Sequence, residues 1–309
     1  MELENKAALV FGGQGSQFTG MGMKIYESST KARAVFELAS AVVGYDVAKM
    51  CFQASQEELN KTIYCQICTL TVELAIYEKF KEKNIPFHSV VGFSLGEYAA
   101  LMATGVFDMR TAFELVQARA TAMETEVDDN AGRMAAIINL TVDQIKSLCK
   151  ELGNDKVVVA NYNSYKQIVV SHGIDYFDEL SNKVRSLGGR VIPLKVNRPF
   201  HHPMMRPAAD KYSIDVRKQK LQVPDKDIYL NVTGEKHNKN DSLADKLYKQ
   251  IFMPVQWIRT VENMLSDGIY TFYEISLKPT LDTFINNISN GKAKVFNVQK
   301  DLLSELATK

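Results

Sequence analysis

Residues 92–96 (GFSLG) place a serine between two glycines, at the point where a short apolar strand meets helix-forming sequence. The strand is predicted at residues 89–91, and the helix formers EYAALMA begin at residue 97. In a G-x-S-x-G elbow the chain turns sharply from strand to helix and pushes the serine hydroxyl outward. The helix N-terminus also supplies free N–H groups that can stabilise an oxyanion. The pattern occurs by chance in loops, but the strand before it and the helix after it favour an α/β fold with Ser94 as a nucleophile.

The order of predicted elements changes in the middle of the chain. Residues 7–11 form a short buried strand that ends in the glycine-rich loop 12–16. Helices are expected near residues 20–45 and 68–83, and further strands near residues 228–230, 269–273 and 294–298. Between them the order becomes β-α-β-β-α-β, with helices near residues 141–152 and 176–187, which is typical of a ferredoxin-like module. We therefore predict a large α/β-hydrolase-like domain with a parallel-sheet core, residues 1–130 and 198–309, interrupted by a small ferredoxin-like subdomain, residues 131–197.

A serine nucleophile needs a base, and the chain has five histidines. His88 precedes the strand of the elbow, His172 ends another predicted strand and His237 falls in a polar loop, so these three are not expected to take part. His201 and His202 lie where the chain returns to the large domain, a suitable place for a base. From the residues alone either one can act, and the competing interpretation is that both are exposed or cap the next helix.

The charge balance excludes some classes of partner. With 37 basic and 36 acidic residues the chain has a formal net charge of +1, so no overall field would attract nucleic acid or an anionic membrane. The basic run at residues 217–220 is interpreted as the polar end of a helix. No uncharged apolar run approaches the roughly 18 residues of a membrane span, and residues 1–11 do not resemble a secretory signal. These observations predict a cytoplasmic protein.

Four cysteines in so long a chain do not indicate a disulfide framework, which also suits a reducing compartment. Cys65 and Cys68 have the spacing of a redox or zinc pair. No second pair or histidine cluster lies near them in the sequence, and they begin an apolar stretch that runs to Phe80. We predict that both sulfurs fill the core and that the chain has no metal site.

Four separated motifs resemble those of one enzyme family. They are residues 11–17 (FGGQGSQ), residues 92–98 (GFSLGEY), Phe200-His201 and residues 254–257 (PVQW). The same motifs occur in this order in malonyl-CoA:acyl carrier protein transacylases, and the match spans nearly the whole chain, insert included. The resemblance implies an acyltransferase that moves a malonyl group from malonyl-CoA to the phosphopantetheine thiol of an acyl carrier protein, with no bound cofactor.

The resemblance also assigns roles to individual residues. It implies that Ser94 is the acylated serine and that His201, rather than the histidine after it, is the general base. A backbone carbonyl near Gln256 is expected to support this base. The backbone N–H groups of Gln14 and Leu95 are expected to form the oxyanion hole.

Other matching positions bear on substrate choice. Arg119 matches the arginine that grips the free carboxylate of malonate with two parallel donors, whereas an arginine without this context is usually a solvated helix residue. Gln66 falls at a family position near the active site. Phe93 stands where malonyl-selective members commonly carry histidine, so the pocket should differ there, while Phe200 resembles malonyl-selective members. Residues 275–279 (ISLKP) replace a glycine-proline-glycine turn usual in the family, and no function follows from this change.

The expected partner is a phosphopantetheinylated acyl carrier protein, of fatty-acid or polyketide synthesis. Such carriers are strongly acidic, so a basic patch should mark their docking site. The candidates in the predicted insert are Lys166, Lys183, Arg185 and Arg190. The family resemblance suggests that the enzyme is a monomer.

Two rival functions come from other classes. The first is a hydrolase that releases acyl groups from carrier proteins or coenzyme A. Arg119 argues against it, since monoacyl substrates have no free carboxylate to bind. The second is a catalytically idle subunit of a synthase complex, which the set of Ser94, His201 and Arg119 argues against.

Overall fold

The computed structural model describes residues 6–307, which form an α/β fold with two sheets. The strands are Lys6–Phe11 (β1), Ser89–Gly92 (β2), Gly132–Ile138 (β3), Val157–Ser164 (β4), Gln167–Gly173 (β5), Arg190–Pro193 (β6), Asp227–Tyr229 (β7), Ile269–Ile275 (β8) and Lys294–Asn297 (β9). The first sheet is parallel throughout, in the order β7-β2-β1-β8-β9. The second is antiparallel, in the order β4-β5-β3-β6. The predicted α/β class with a parallel-sheet core is confirmed.

Helices cover the sheets and fill most of the remaining chain. They are Met23–Ser28 (α1), Thr30–Val43 (α2), Val47–Gln53 (α3), Gln56–Leu59 (α4), Thr62–Lys81 (α5), Gly96–Ala103 (α6), Met109–Thr125 (α7), Val142–Leu152 (α8), Phe177–Ser186 (α9), Arg206–Val216 (α10), Leu243–Gln250 (α11), Trp257–Ser266 (α12), Leu281–Ile288 (α13) and Val298–Ala307 (α14). The predicted β-α-β-β-α-β order is confirmed, since α8 follows β3 and α9 lies between β5 and β6.

Two predicted helices have different bounds in the structure. The helix expected near residues 20–45 is divided at Ser29, whose backbone is extended and whose side chain accepts the N–H of Ala32. A serine in this position caps a new helix rather than continuing the old one. The helix expected near residues 68–83 is α5, which begins at Thr62 and is buried on nearly every side between α2 and α7.

The cysteine pair lies inside this buried helix. Cys65 and Cys68 are both fully buried, and all four cysteines of the chain are free. The interpretation of the pair as core filling is therefore confirmed. Among residues 6–307, no group of three or more His, Cys, Asp or Glu side chains is placed to hold a metal ion, and no helix there is long and apolar enough to cross a membrane.

The parallel sheet brings four chain segments together at one edge. Strands β1, β2, β7 and β8 all end there, and each is followed by a loop. In open parallel sheets, ligands bind outside the carboxyl ends of the strands. The antiparallel sheet reaches the same edge through a short link, in which the N–H of Tyr162 donates to Val255 and the N–H of Val255 donates to Ala160. A cleft lies between these loops and the antiparallel sheet.

Candidate active site

The turn after β2 is the strained strand-to-helix elbow that the sequence predicts. Ser94 has a φ of +50°, in the left-handed region that costs a non-glycine residue about 1–3 kcal/mol. A Cβ on Gly92 would lie 2.0 Å from the backbone of Gly96, and a Cβ on Gly96 would lie 2.0 Å from the carbonyl oxygen of Gly12. Both glycines are therefore required by close backbone contacts on either side of the serine.

His201 lies beside Ser94 in the geometry of a base. Its Nε2 is 2.9 Å from the Ser94 Oγ. Its Nδ1 is 2.8 Å from the carbonyl oxygen of Gln250 and 3.1 Å from that of Met253. Because carbonyl oxygens only accept, Nδ1 carries the hydrogen and donates it. The Nε2 lone pair is then free to accept the serine proton, which is the tautomer that a general base needs.

The support for His201 differs from the prediction, which placed it near Gln256. The N–H of Gln256 donates to the carbonyl of Asn231 and its own carbonyl accepts from Thr260, so this residue is used at the start of α12. The acceptors of the Nδ1 hydrogen come instead from the end of α11 and the turn after it, where helix carbonyls lack intrahelical partners. The imidazole thus lies at the negative end of the α11 dipole, which favours its protonated form during reaction.

The other four histidines have different surroundings. His202 is fully buried, and its Nδ1 accepts the backbone N–H two residues further on, so it caps the next turn. His88 and His237 line a separate groove at the amino ends of the parallel strands. His172 is buried, with its Nδ1 2.9 Å from the carbonyl of the next residue. Only His201 among the five contacts Ser94.

The backbone N–H groups of Gln14 and Leu95 have no acceptor in the hydrogen-bond network of residues 6–307. The N–H of Ser94 itself already donates to a side-chain oxygen at 2.7 Å. The loop that carries Gln14 approaches the elbow because Gly13 has no side chain, since a Cβ there would lie 2.6 Å from the carbonyl oxygen of Phe93. The assignment of these two N–H groups to an oxyanion hole stays a prediction.

Arg119 is buried in the same cleft although it carries a charge. On α7, only 2% of the residue is exposed. Its guanidinium donates to the side-chain oxygen of Gln66 at 2.6 Å, to that of Gln250 at 3.1 Å and to the Ser94 Oγ at 3.3 Å. None of these acceptors is a carboxylate, and Nε has no partner within the described residues. The interpretation of Arg119 as a solvated helix residue is therefore wrong, and Gln66 belongs to its surroundings.

Three buried side chains that sequence reasoning missed connect Ser94 to Arg119. Glu97 accepts hydrogen bonds from the backbone and side chain of Asn231 and from the side chain of Gln250. Asn231 in turn accepts the N–H of Ser94, and Gln250 donates to the Ser94 carbonyl and accepts from Arg119. Burial raises the pKa of Glu97 to about 7, against the effect of these donors and of the Arg119 charge. This polar network fixes the backbone of the nucleophile on both sides.

The cleft at Ser94 has a volume of about 660 Å³. Phe93 and Phe200 both line it, and Phe200 is buried while Phe93 is half-buried. The Phe93 ring packs edge-on against Trp257, with 5.2 Å between centroids, and lies 6.4 Å from the ring of Phe284. An apolar aromatic wall therefore stands beside the nucleophile.

Comparison with known proteins agrees with this geometry. The family model described as an acyl transferase domain matches residues 8–298. The malonyl CoA-acyl carrier protein transacylase of Escherichia coli (strain K12) is 35% identical over 271 residues, which cover 87% of this chain and 88% of that protein. A crystal structure of the corresponding transacylase from Clostridium perfringens superposes with a TM-score of 0.91 at 31% identity and covers 98% of both chains.

A further solved structure holds a malonyl-transacylase in complex with a type II polyketide synthase acyl carrier protein. It is 31% identical to this chain, has a TM-score of 0.91 and covers 98% of this chain and all of the other. Since the family match extends over both sheets and includes the elbow, the histidine and the buried arginine, the chain belongs to the acyl transferase domain family.

Proposed function

We propose that the protein is an acyl carrier protein S-malonyltransferase that carries a malonyl group from malonyl-CoA to the phosphopantetheine thiol of an acyl carrier protein. One observation carries this proposal. Within residues 6–307, the buried Arg119 guanidinium has only neutral acceptors, and it lies 3.3 Å from the Ser94 Oγ. A buried cation without a carboxylate partner favours an anionic ligand, and a guanidinium suits a carboxylate with two parallel donors. Malonyl thioesters present such a carboxylate next to the carbonyl that Ser94 attacks.

In the first half of the proposed reaction Ser94 becomes acylated. Its Oγ attacks the thioester carbonyl while the proton passes to Nε2 of His201. The N–H groups of Gln14 and Leu95 hold the oxyanion of the tetrahedral intermediate. The intermediate then expels the coenzyme A sulfur, which takes the proton back from His201. The malonyl group is left as an ester of Ser94.

In the second half the thiol of the carrier protein replaces coenzyme A. His201 takes the thiol proton, the sulfur attacks the Ser94 ester, and the serine oxygen leaves with the proton from Nε2. Water must react more slowly than the thiol, and the aromatic wall of Phe93 and Phe200 is suited to exclude it. The proposed chemistry needs only these side chains and the two thiols, with no cofactor.

The similar proteins support transfer of the acyl group to a thiol rather than its hydrolysis. The relatives named above are transacylases, and one of them is seen in complex with a carrier protein. The set of Ser94, His201 and Arg119 also gives no support to an idle subunit. We therefore favour acyl transfer over both the hydrolase and the idle subunit.

The division into domains, the oligomeric state and the compartment of the enzyme are also proposals. We propose that residues 1–130 with 198–309 form one α/β-hydrolase-like unit, that residues 131–197 form a ferredoxin-like unit, and that the enzyme acts as a monomer in the cytoplasm. The free cysteines suit a reducing compartment.

Among the basic residues proposed to bind the acidic carrier protein, Lys183 forms an ion pair with Glu151, so its charge is less available to the carrier. Lys166, Arg185 and Arg190 are exposed.

The proposal is tested by weighing the intact protein after it has been mixed with malonyl-CoA. A malonyl adduct is expected, located by peptide mapping at residues 92–96, and it should pass to a holo acyl carrier protein when this is added. An adduct that is discharged only to water would favour the hydrolase. The absence of any adduct would contradict acyl transfer through this elbow.

The Arg119 side chain gives a selectivity prediction. In Arg119→Ala the rate of malonyl loading is expected to fall by roughly 10²-fold, because two charge-assisted hydrogen bonds to the carboxylate are lost. Acetyl loading, which uses no such bonds, should change far less. Rates of adduct formation from malonyl-CoA and acetyl-CoA measure both effects, with Arg119→Lys as a variant that keeps the charge but not the paired donors. An unchanged ratio of the two rates would refute the carboxylate role.

The protonation of His201 gives a prediction for pH dependence. Its pKa is lowered from 6.5 to about 4, first by burial and second by the charge of Arg119. Only the neutral imidazole can take the serine proton, so kcat/KM for loading should stay level down to about pH 5 and fall as the pH approaches 4. Adduct formation over this range measures the profile. Glu97 in the polar network has a pKa raised by burial to about 7, so the profile is measured in Glu97→Gln as well. An inflection close to the ordinary histidine value that persists in Glu97→Gln would contradict a depressed pKa at the base.

A further inference from the structure

The turn at residues 275–279 lies at the cleft. Strand β8 ends at Ile275, and Ser276 and Lys278 after it both line the cavity that contains Ser94. Ser276 is buried, whereas Lys278 is exposed. This turn therefore places a cation at the rim of the candidate active site.

Local contacts hold Lys278 in this position. Its carbonyl oxygen accepts the hydroxyl of Ser276 at 2.8 Å, which fixes the backbone of the turn. Its Nζ lies 5.1 Å from the centroid of the Phe18 ring, within the range of a cation–π interaction. Phe18 lines the cleft as well, in the loop after β1. The ammonium group is thus exposed to solvent and lies over an aromatic ring at the rim.

A second lysine lines the cleft from the antiparallel sheet. Lys195 follows β6, is exposed and belongs to the cavity lining. Neither Lys195 nor Lys278 has a carboxylate within salt-bridge distance among residues 6–307. We call Lys195 and Lys278 the rim lysines.

The lining offers no acidic group to neutralise the rim lysines. Its single carboxylate among the described residues is Glu274, which is fully buried. The Glu274 oxygens accept three backbone N–H groups at the start of α13, and Oε1 lies 2.8 Å from the Ser276 hydroxyl oxygen. The cleft therefore carries positive charge both in its interior, at Arg119, and at its rim, on a chain whose formal net charge is only +1.

We propose that the rim lysines bind the phosphate that lies at the far end of a pantetheine arm, while Arg119 binds the carboxylate at its thioester end. This inference rests on the proposed function and names a second anchor point for the same substrates. Coenzyme A carries a diphosphate at this position and a holo carrier protein carries a phosphodiester, so one pair of cations serves both halves of the reaction. Lysine contacts phosphate as a point charge rather than through paired donors. Such a contact suits the pantetheine arms, because one arm must bind and leave in each half of the reaction.

The decisive measurement compares two donors that differ in phosphate. Malonyl-CoA and malonyl-pantetheine have the same thioester, but the second has no phosphate. In Lys278→Gln and Lys195→Gln we expect the KM for malonyl-CoA to rise roughly threefold to tenfold for each lysine, with kcat unchanged. The KM for malonyl-pantetheine should not change. Lys239→Gln, at the opposite edge of the parallel sheet, is the matched control.

The second half of the reaction, in which the loaded enzyme transfers the acyl group to an acceptor thiol, distinguishes binding of the phosphate from docking of the carrier protein. Transfer from the loaded enzyme to free phosphopantetheine should weaken in the rim variants, and transfer to pantetheine should not. The proposal is overturned if the KM rises for both donors in the rim variants, or if it rises for neither. It is also overturned if only transfer to the holo carrier protein weakens, because the lysines would then meet the carrier surface. A wild-type protein that forms no adduct with either donor would instead refute the proposed function.

Discussion

Replacing Ser94 by alanine is expected to abolish the malonyl adduct and to slow transfer to a carrier protein by about 10⁴-fold to 10⁶-fold. The Ser94 hydroxyl is the group that lies 2.9 Å from Nε2 of His201 and 3.3 Å from the Arg119 guanidinium. Without it no ester can form, and direct attack by the carrier thiol would lack both the positioned base and the acyl-enzyme. Intact mass after mixing with malonyl-CoA and the rate of malonyl-carrier formation measure the two effects.

Two further serine variants show whether the loss is chemical or structural. Ser94→Gly also removes the hydroxyl, but it should raise the Tm, because glycine adopts a φ of +50° without the roughly 1 kcal/mol or more of strain that serine bears. Ser213→Ala, on α10 away from the cleft lining, should load normally. A malonyl adduct that persists in both Ser94 variants would mean that another residue is the nucleophile.

The parts of the site that lie close together in sequence were predictable from it. The elbow needs Gly92 because a side chain there would collide with the backbone of Gly96, four residues on, and its strand and helix are marked by local apolar pattern. Gly96 is part of the same sequence motif, although the backbone that it approaches belongs to the distant Gly12. Arg119 was identified only through the resemblance to the family, because an arginine on a helix is otherwise expected to be exposed to solvent. Its burial depends on α7 packing against α5, a contact that local pattern does not reveal.

The parts that depend on distant contacts were not predictable. Asn231 accepts the N–H of Ser94 across 137 residues, and Gln250 donates to the Ser94 carbonyl across 156. Asparagine and glutamine in loops or at helix ends carry no distinctive signal, since the same residues cap and turn throughout the chain. The support of His201 was misplaced at Gln256 for the same reason. A backbone carbonyl is present at every residue, so only the tertiary fold decides which one faces the imidazole.

The network behind the nucleophile has a physical role that follows from these contacts. Glu97 holds Asn231 and Gln250 through hydrogen bonds, and these two hold the N–H and the carbonyl of Ser94. The strained φ of Ser94 is thus fixed from both sides, as pre-organisation of a nucleophile requires. Because Gln250 also accepts from Arg119, the guanidinium proposed to bind the carboxylate and Ser94 share one support.

Replacing His201 by alanine is expected to slow loading by about 10³-fold to 10⁴-fold, while His202→Ala should leave the loading rate of the folded protein unchanged. His201 is the only described histidine in contact with the Ser94 Oγ, and its Nδ1 hydrogen is held by two carbonyls that fix the tautomer. His202 instead accepts a backbone N–H and is fully buried, so its removal should cost stability, about 1–3 kcal/mol from the lost cap and the cavity. Adduct formation and thermal unfolding measure the two effects separately.

His201 and His202 are adjacent in the chain, but their replacement is expected to affect different properties, the loading rate for His201 and the stability for His202. Comparison of the two variants therefore tests which residue is the base. Both side chains are buried, and burial lowers the pKa of each to about 4, so neither exposure nor charge distinguishes them. The distinction is geometric and depends on His201, whose φ of +61° lies in the left-handed region. If His202→Ala loses loading while its Tm is maintained, or if His201→Ala loads at the wild-type rate, the base has been assigned to the wrong residue. Partial recovery of His201→Ala by added imidazole would show that the missing function is proton transfer rather than a structural contact.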